Sequence, residues 1–266
     1  MINFFRRIRK KLADDNTPLK YMRYALGEIV LVMIGILLAL QVNNWNEERK
    51  QKKIINTYLY NLEEDIYKDL KEYQRSEDIA LFTFYSHQII LLWAGQSMLS
   101  LSMNDDPVKP FSEENYIWNK PLPTEFDGEF VELVFLWSVR PGFPIIHKSS
   151  FDELKSTGYF SQIENQNLKN AINEYYSDIE RRISSNLSRD HILAWTECLA
   201  QNGMLAQDIS QVEDPLAIFK SNPETVSRFK RLIRYSWYQA SSVKTLSEEA
   251  RNLIIKIDVE LNKTSK

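Results

Sequence analysis

The chain has 266 residues, a formal net charge of −3, and hydrophobic and charged fractions of 44% and 26%, the proportions of an ordinary globular protein. Only 7 Gly and 9 Pro count against a β-sandwich or barrel, which needs many tight turns. A mildly acidic body argues against nucleic acid as a partner, and a single cysteine, Cys198, allows neither an internal disulfide nor a cysteine zinc site.

Residues 1–23 carry seven Lys/Arg (Arg6, Arg7, Arg9, Lys10, Lys11, Lys20, Arg23) against Asp14 and Asp15, a net of +5 that leaves −8 for the rest. Phe4, Phe5, Ile8 and Leu12 share one helical face among these cations. That suits a short helix in the headgroup layer, or a leader whose charges only orient the apolar stretch C-terminal to it.

Tyr24–Val42 holds 19 residues with one charge. As a helix it covers roughly 28 Å, the hydrocarbon thickness of a bilayer. It reads as a single membrane span. No A-x-A-like site follows it, since Ala39-Leu40-Gln41 ends in a bulky amide, so an uncleaved anchor is expected. Only Arg49, Lys50, Lys52 and Lys53 closely follow the span. The positive-inside rule therefore puts residues 1–23 in the cytoplasm and 43–266 outside the cytoplasmic membrane. Tyr21 and Tyr24 suit the inner interface and Trp45 the outer one.

Glu28 lies about one turn inside the span, where Tyr24, four residues back, is placed to hydrogen-bond it. Gly35-x-x-x-Ala39 is a small-xxx-small pair that permits close helix approach. Glu28, Gly35 and Ala39 are thus candidate helix-contact residues. The plainer alternative is an interfacial Glu with incidental small residues.

From Glu47 onward Ile55, Leu59, Leu62, Ile66, Leu70, Tyr73, Leu81, Phe84, Gln88 and Leu91 follow three-four spacing, with Glu64→Lys68 as an i,i+4 pair. Residues 43–94 therefore read as a stalk helix continuing the span, and 95–266 as the rest of the body. Gly95 and the prolines at 107, 110, 121 and 123 spell one long irregular loop, which Phe111, Tyr116, Ile117 and Trp118 should pack down. Residues 129–139 are apolar nearly all round and read as a buried short helix or a strand, the helix preferred, ended by Arg140–Pro144. Ser150 and Glu153 form a capping-box pattern, with Gly158 as the stop. One helix is expected from Gln166 to Asn202, with Leu168, Ile172, Tyr175, Ile179, Ile183, Leu187, His191, Ala194 and Cys198 on its stripe and Gly203 ending it. Asn222-Pro223 opens a last helix to about Asn262, with a seam running from Val226 to Leu261. The fold expected is mainly α: an N-terminal transmembrane helix, then an extracytoplasmic antiparallel helical bundle with one long irregular loop.

No nucleotide-binding, nucleophile-elbow or H-E-x-x-H motif occurs. His87, His147 and His191 are far apart, and His191 reads as a core histidine on an apolar stripe. Glu63-Glu64-Asp65 reads as a solvated face and Cys198 as a buried thiol. No catalytic, cofactor-binding or metal residues are expected, and no cofactor.

FFRRIRKKL followed by KYMRYALGEIVLVMIGILLALQVNNWNEERK resembles the N-terminal signature of a family of uncharacterised single-pass bacterial membrane proteins, a domain of unknown function. Residues 151–176 resemble its second block and 250–261 its C-terminal helix, while 77–148 show no likeness. The resemblance implies topology and a place in the bacterial envelope, and supplies no activity. The function expected is a membrane-anchored helical interaction or scaffold protein, its partners the lipid bilayer and either a second copy or another protein. The alternative is an extracytoplasmic small-molecule sensor coupled through the stalk to a separate membrane protein, since 23 leader residues hold no output domain.

Overall fold

The computed structural model describes residues 18–101, 108–140, 142–183 and 187–264; the expected leader helix lies outside them, as does the ring of Tyr21. The chain divides into two units, one up to Asn56 and one from Thr57.

The first unit is helical throughout its described residues, as the first part of α1 (Pro18–Trp93). Every side chain from Met22 to Trp45 is exposed. An apolar helix bare on all sides satisfies its own backbone but not its surface in water, which is the condition of a lipid-facing segment. It is the one helix among the described residues long and apolar enough to cross a membrane.

The second unit is all helical, with no strand among the described residues. After α1 come α2 (Gly128–Ser138), α3 (Ser149–Ser156), α4 (Gln166–Ile183), α5 (Leu187–Gln201), a short α6 (Ile218–Ser221) and α7 (Pro223–Thr264). Residue pairs show how they run. Glu63 meets Asp258, Ser76 meets Gln239, and His87 stacks on Phe229, so α1 and α7 are antiparallel. Asn165 meets Glu260 and Asp178 meets Glu249; Ala194 meets Arg228 and Cys198 meets Thr225. Hence α4 and α5 both run antiparallel to α7, and the expected bundle topology holds.

One expectation is corrected. Among the described residues Gln166–Asn202 holds two helices, α4 and α5, rather than one. Helix α4 buries Leu168, Ile172, Tyr175, Tyr176 and Ile179, whereas α5 buries Trp195, Cys198 and Leu199. At 100° per residue these stripes lie about 150° apart on a straight helix, so both could not face α7 without a break.

Helix α2 is capped by Asp127, whose carboxylate accepts the Phe130 N–H at 3.1 Å, as a short polar acceptor at that position should. It buries Phe130, Val131, Val134 and Phe135 in a core shared with Phe82, Trp195, Phe219 and Phe229. The described part of the loop between α1 and α2 packs down through Phe111, Ile117 and Trp118, as expected, whereas Tyr116 is 63% exposed. Gln88 holds Leu99 through both ends of its amide, buried Asn115 donates to the Asp78 carbonyl at 2.8 Å, and the Trp118 ring sits 5.0 Å from Phe130.

Candidate functional site

Glu28, Gly35 and Ala39 are all exposed on α1, and their spacing of seven and four residues puts them on one face. A Cβ added at Gly35 meets nothing within 4 Å in the single chain. Tyr24 and Trp45 are exposed at the ends of the apolar stretch, with the Arg49 guanidinium 5.8 Å from the Trp45 ring.

The densest polar chemistry lies within the second unit, on the later part of α1. Asp65, Asp69, Glu72 and Ser76 follow helical spacing and receive the segment Gly142–Ser150, non-helical up to Lys148, which runs along the helix in the opposite direction. Asp65 Oδ2 accepts the Ser150 N–H at 3.2 Å and the Ser150 hydroxyl at 2.6 Å. Asp69 Oδ1 accepts the His147 N–H at 2.7 Å, Glu72 Oε2 accepts the Ile145 N–H at 3.1 Å, and Ser76 Oγ donates to the Gly142 carbonyl at 2.6 Å. Arg75, itself paired with Glu72, donates to the Phe143 carbonyl at 2.9 Å. Helix side chains thus take the part a neighbouring strand would play.

Two expectations are corrected here. The Ser150–Glu153 capping box does not form: α3 starts at Ser149, no side chain of its own caps it, and its first turn is met by the Asp65 carboxylate from α1. Glu153 instead accepts the Tyr58 hydroxyl at 3.2 Å. Nor is Glu63-Glu64-Asp65 a solvated face. Glu63 and Asp65 are buried, and Lys68 pairs with Asp65 at 3.0 Å rather than with Glu64.

Behind the ladder Asp69 is fully buried and its other oxygen accepts the Tyr175 hydroxyl at 2.9 Å, which in turn lies 3.0 Å from the Tyr73 hydroxyl. Burial raises the Asp69 carboxyl above its ordinary range despite the bonds from His147 and Tyr175. At Asp65 and Glu72 burial pulls the same way but loses: bonds from Ser150 and Lys68, and from Ile145 and Arg75, hold both carboxyls low. Tyr73, Tyr175 and Tyr176 are pushed up, chiefly by burial. Glu249 on α7 is raised to about 7 by burial and by the Asp178 carboxyl beside it.

His87 is fully buried, its Nδ1 3.2 Å from the Ser86 hydroxyl and its Nε2 without a partner, and burial pushes it down to about 3. His147 sits on Asp69. His191 departs from expectation: it is half-buried and lines a cleft with Ala194, Glu224, Ser227, Arg228 and Arg231, while Trp195 takes the core position. Cys198 is buried as expected. Among the described residues no three His, Cys, Asp or Glu side chains converge as a metal set.

These features define a class: an all-helical protein with one candidate membrane span near its N-terminus. Residues 28–80 match the model of a family of unknown function (DUF6090), a stretch holding Glu28, Gly35, Ala39 and the whole helix side of the ladder. The blocks at 151–176 and 250–261 lie outside that match. No curated protein and no solved structure matches the chain.

Proposed function

We propose that this is a single-span protein of the bacterial cytoplasmic membrane, N-terminus inside, whose helical body binds another protein or a second copy of itself and carries out no catalysis. The observation that carries the reading is the 76-residue helix α1, unbroken from Pro18 to Trp93. Its first part is apolar and bare, and its later part supplies core residues such as Ile66, Phe82 and Ile90. Such a helix both anchors and organises. Exposed apolar pairs at helical spacing, Tyr60 with Tyr67 on α1 and Ile255 with Val259 on α7, offer contact chemistry for a protein partner.

A second reading, small-molecule sensing, draws support from a cleft of about 230 Å³ between α1 and α7, where Glu77, Lys109, Lys244 and Glu248 surround Leu81 and Trp237. Native mass spectrometry of the full-length protein, extracted gently from its own membranes, separates the two. A stoichiometric second protein or a homo-oligomer is the expected result. A monomer carrying a small-molecule mass moves the assignment to a sensor, and a bare monomer with nothing bound counts against both.

A further inference from the structure

The 23 residues from Thr225 to Ser247 on α7 contain Arg228, Lys230, Arg231, Arg234 and Lys244 and no acidic residue, in a chain whose net charge is −3. Three of these cations already have work. Arg228 closes a bidentate pair with Glu224 Oε1 (3.0 and 2.7 Å) and donates to the Ala194 carbonyl at 2.6 Å, tying α7 to α5. Lys230 donates to Ser97 Oγ at 2.9 Å, and the Arg234 guanidinium lies 4.9 Å from the Trp237 ring.

Beside the Arg228–Glu224 pair, α5 and α7 leave a cleft of about 150 Å³ lined by His191, Ala194, Glu224, Ser227, Arg228 and Arg231. Its acid is already matched: Glu224 is neutralised by Arg228, so the charge left over is that of Arg231. The exposed Arg231 guanidinium and the Ser227 hydroxyl make no hydrogen bond or ion pair with other described residues. His191 has only a ring contact with Tyr235, 6.4 Å away, among the described residues. A guanidinium, a hydroxyl and an imidazole around a small cleft, with the neighbouring carboxylate occupied, form a donor set for an oxyanion.

We propose that the cleft between α5 and α7 binds a phosphate-sized oxyanion, with Arg231 as the charged anchor and Ser227 and His191 as further donors. The volume suits a phosphate group and not a nucleotide. The proposal stands apart from the interaction reading, because it needs no partner protein.

The test is isothermal titration of the full-length protein in a neutral detergent, with inorganic phosphate in one arm and dioctanoyl phosphatidylglycerol in the other. Arg231→Gln is compared with Lys256→Gln, an exposed cation on the same helix outside both clefts. Saturable phosphate binding, weakened about tenfold by R231Q and unchanged by K256Q, is the expected result and assigns a free anion. The same pattern with the lipid alone assigns a headgroup phosphate to the same site. Binding in neither arm, or equal loss in both variants, overturns the proposal; since Arg231 is exposed and unpaired among the described residues, R231Q leaves the fold intact, and its unchanged melting temperature verifies this.

Discussion

Two buried titratable side chains pull the stability of the body in opposite directions with pH. His87 is held neutral inside the core, at about 3 against an ordinary 6.5, so the folded state binds fewer protons than the unfolded chain between those values. Its contribution is complete above pH 6.5 and is lost as pH falls. Glu249 is raised to about 7 from 4.5, so the folded state binds more protons in that window, and stability is lost as pH rises through it. Between pH 4.5 and 6.5 the two effects oppose each other, and single variants expose each limb. In melting curves from pH 4 to 8, His87→Leu is expected to remove the acid loss, worth about 3 kcal/mol between pH 7 and 4. Glu249→Gln is expected to flatten the fall between pH 6 and 8, worth about 1 kcal/mol because solvent screens this half-buried group. The readout is the slope against pH rather than the absolute stability, so any packing change at His87 does not obscure it. Unchanged slopes in both variants would place the titration elsewhere.

At the scale of elements, the side-chain ladder on α1 is what docks the Gly142–Ser150 segment. Asp69→Ala leaves the His147 amide, the His147 ring and the Tyr175 hydroxyl without their acceptor, which costs about 2–4 kcal/mol. Hydrogen exchange should quicken at Ile145 and His147 before it quickens in α4 or α7; uniform quickening would mean that the ladder is no separate unit. This ladder was illegible in the sequence for a physical reason. Asp65, Asp69 and Glu72 at helical spacing look like any solvated acidic face, and their partners are backbone amides some 80 residues on, which carry no signature. The helices themselves were legible, because Leu59, Leu62, Ile66 and Tyr73, or Phe229, Ile233 and Val243, repeat at the period a buried stripe requires. The same rule misplaced His191: it carried the stripe of α4 straight on, whereas α5 faces α7 with Trp195. Ser150 looked like a cap because local spacing cannot register a carboxylate arriving from another helix.

For the molecule as a whole, the family match, the bare apolar stretch and the long helix all fall on α1. If spans associate through the Glu28 face, single cysteines placed by Gly35→Cys or Ala39→Cys should give disulfide-linked dimers in native membranes. A cysteine replacing Leu37, which faces elsewhere on the helix, should give few. No dimer from either position would end that reading. The Gly142–Ser150 segment has one more consequence. A protease must draw a stretch of chain into its cleft as an added strand, and Ile145, 64% exposed, stands out as bait. The amides at 145 and 147 are already held by carboxylates, so cutting must wait for the ladder to open. A nick there would separate α1 and α2 from α3–α7 in sequence but not in space, because α1 and α7 still grip each other from Glu63–Asp258 to His87–Phe229. The cut protein would run as two fragments in denaturant and as one particle without it.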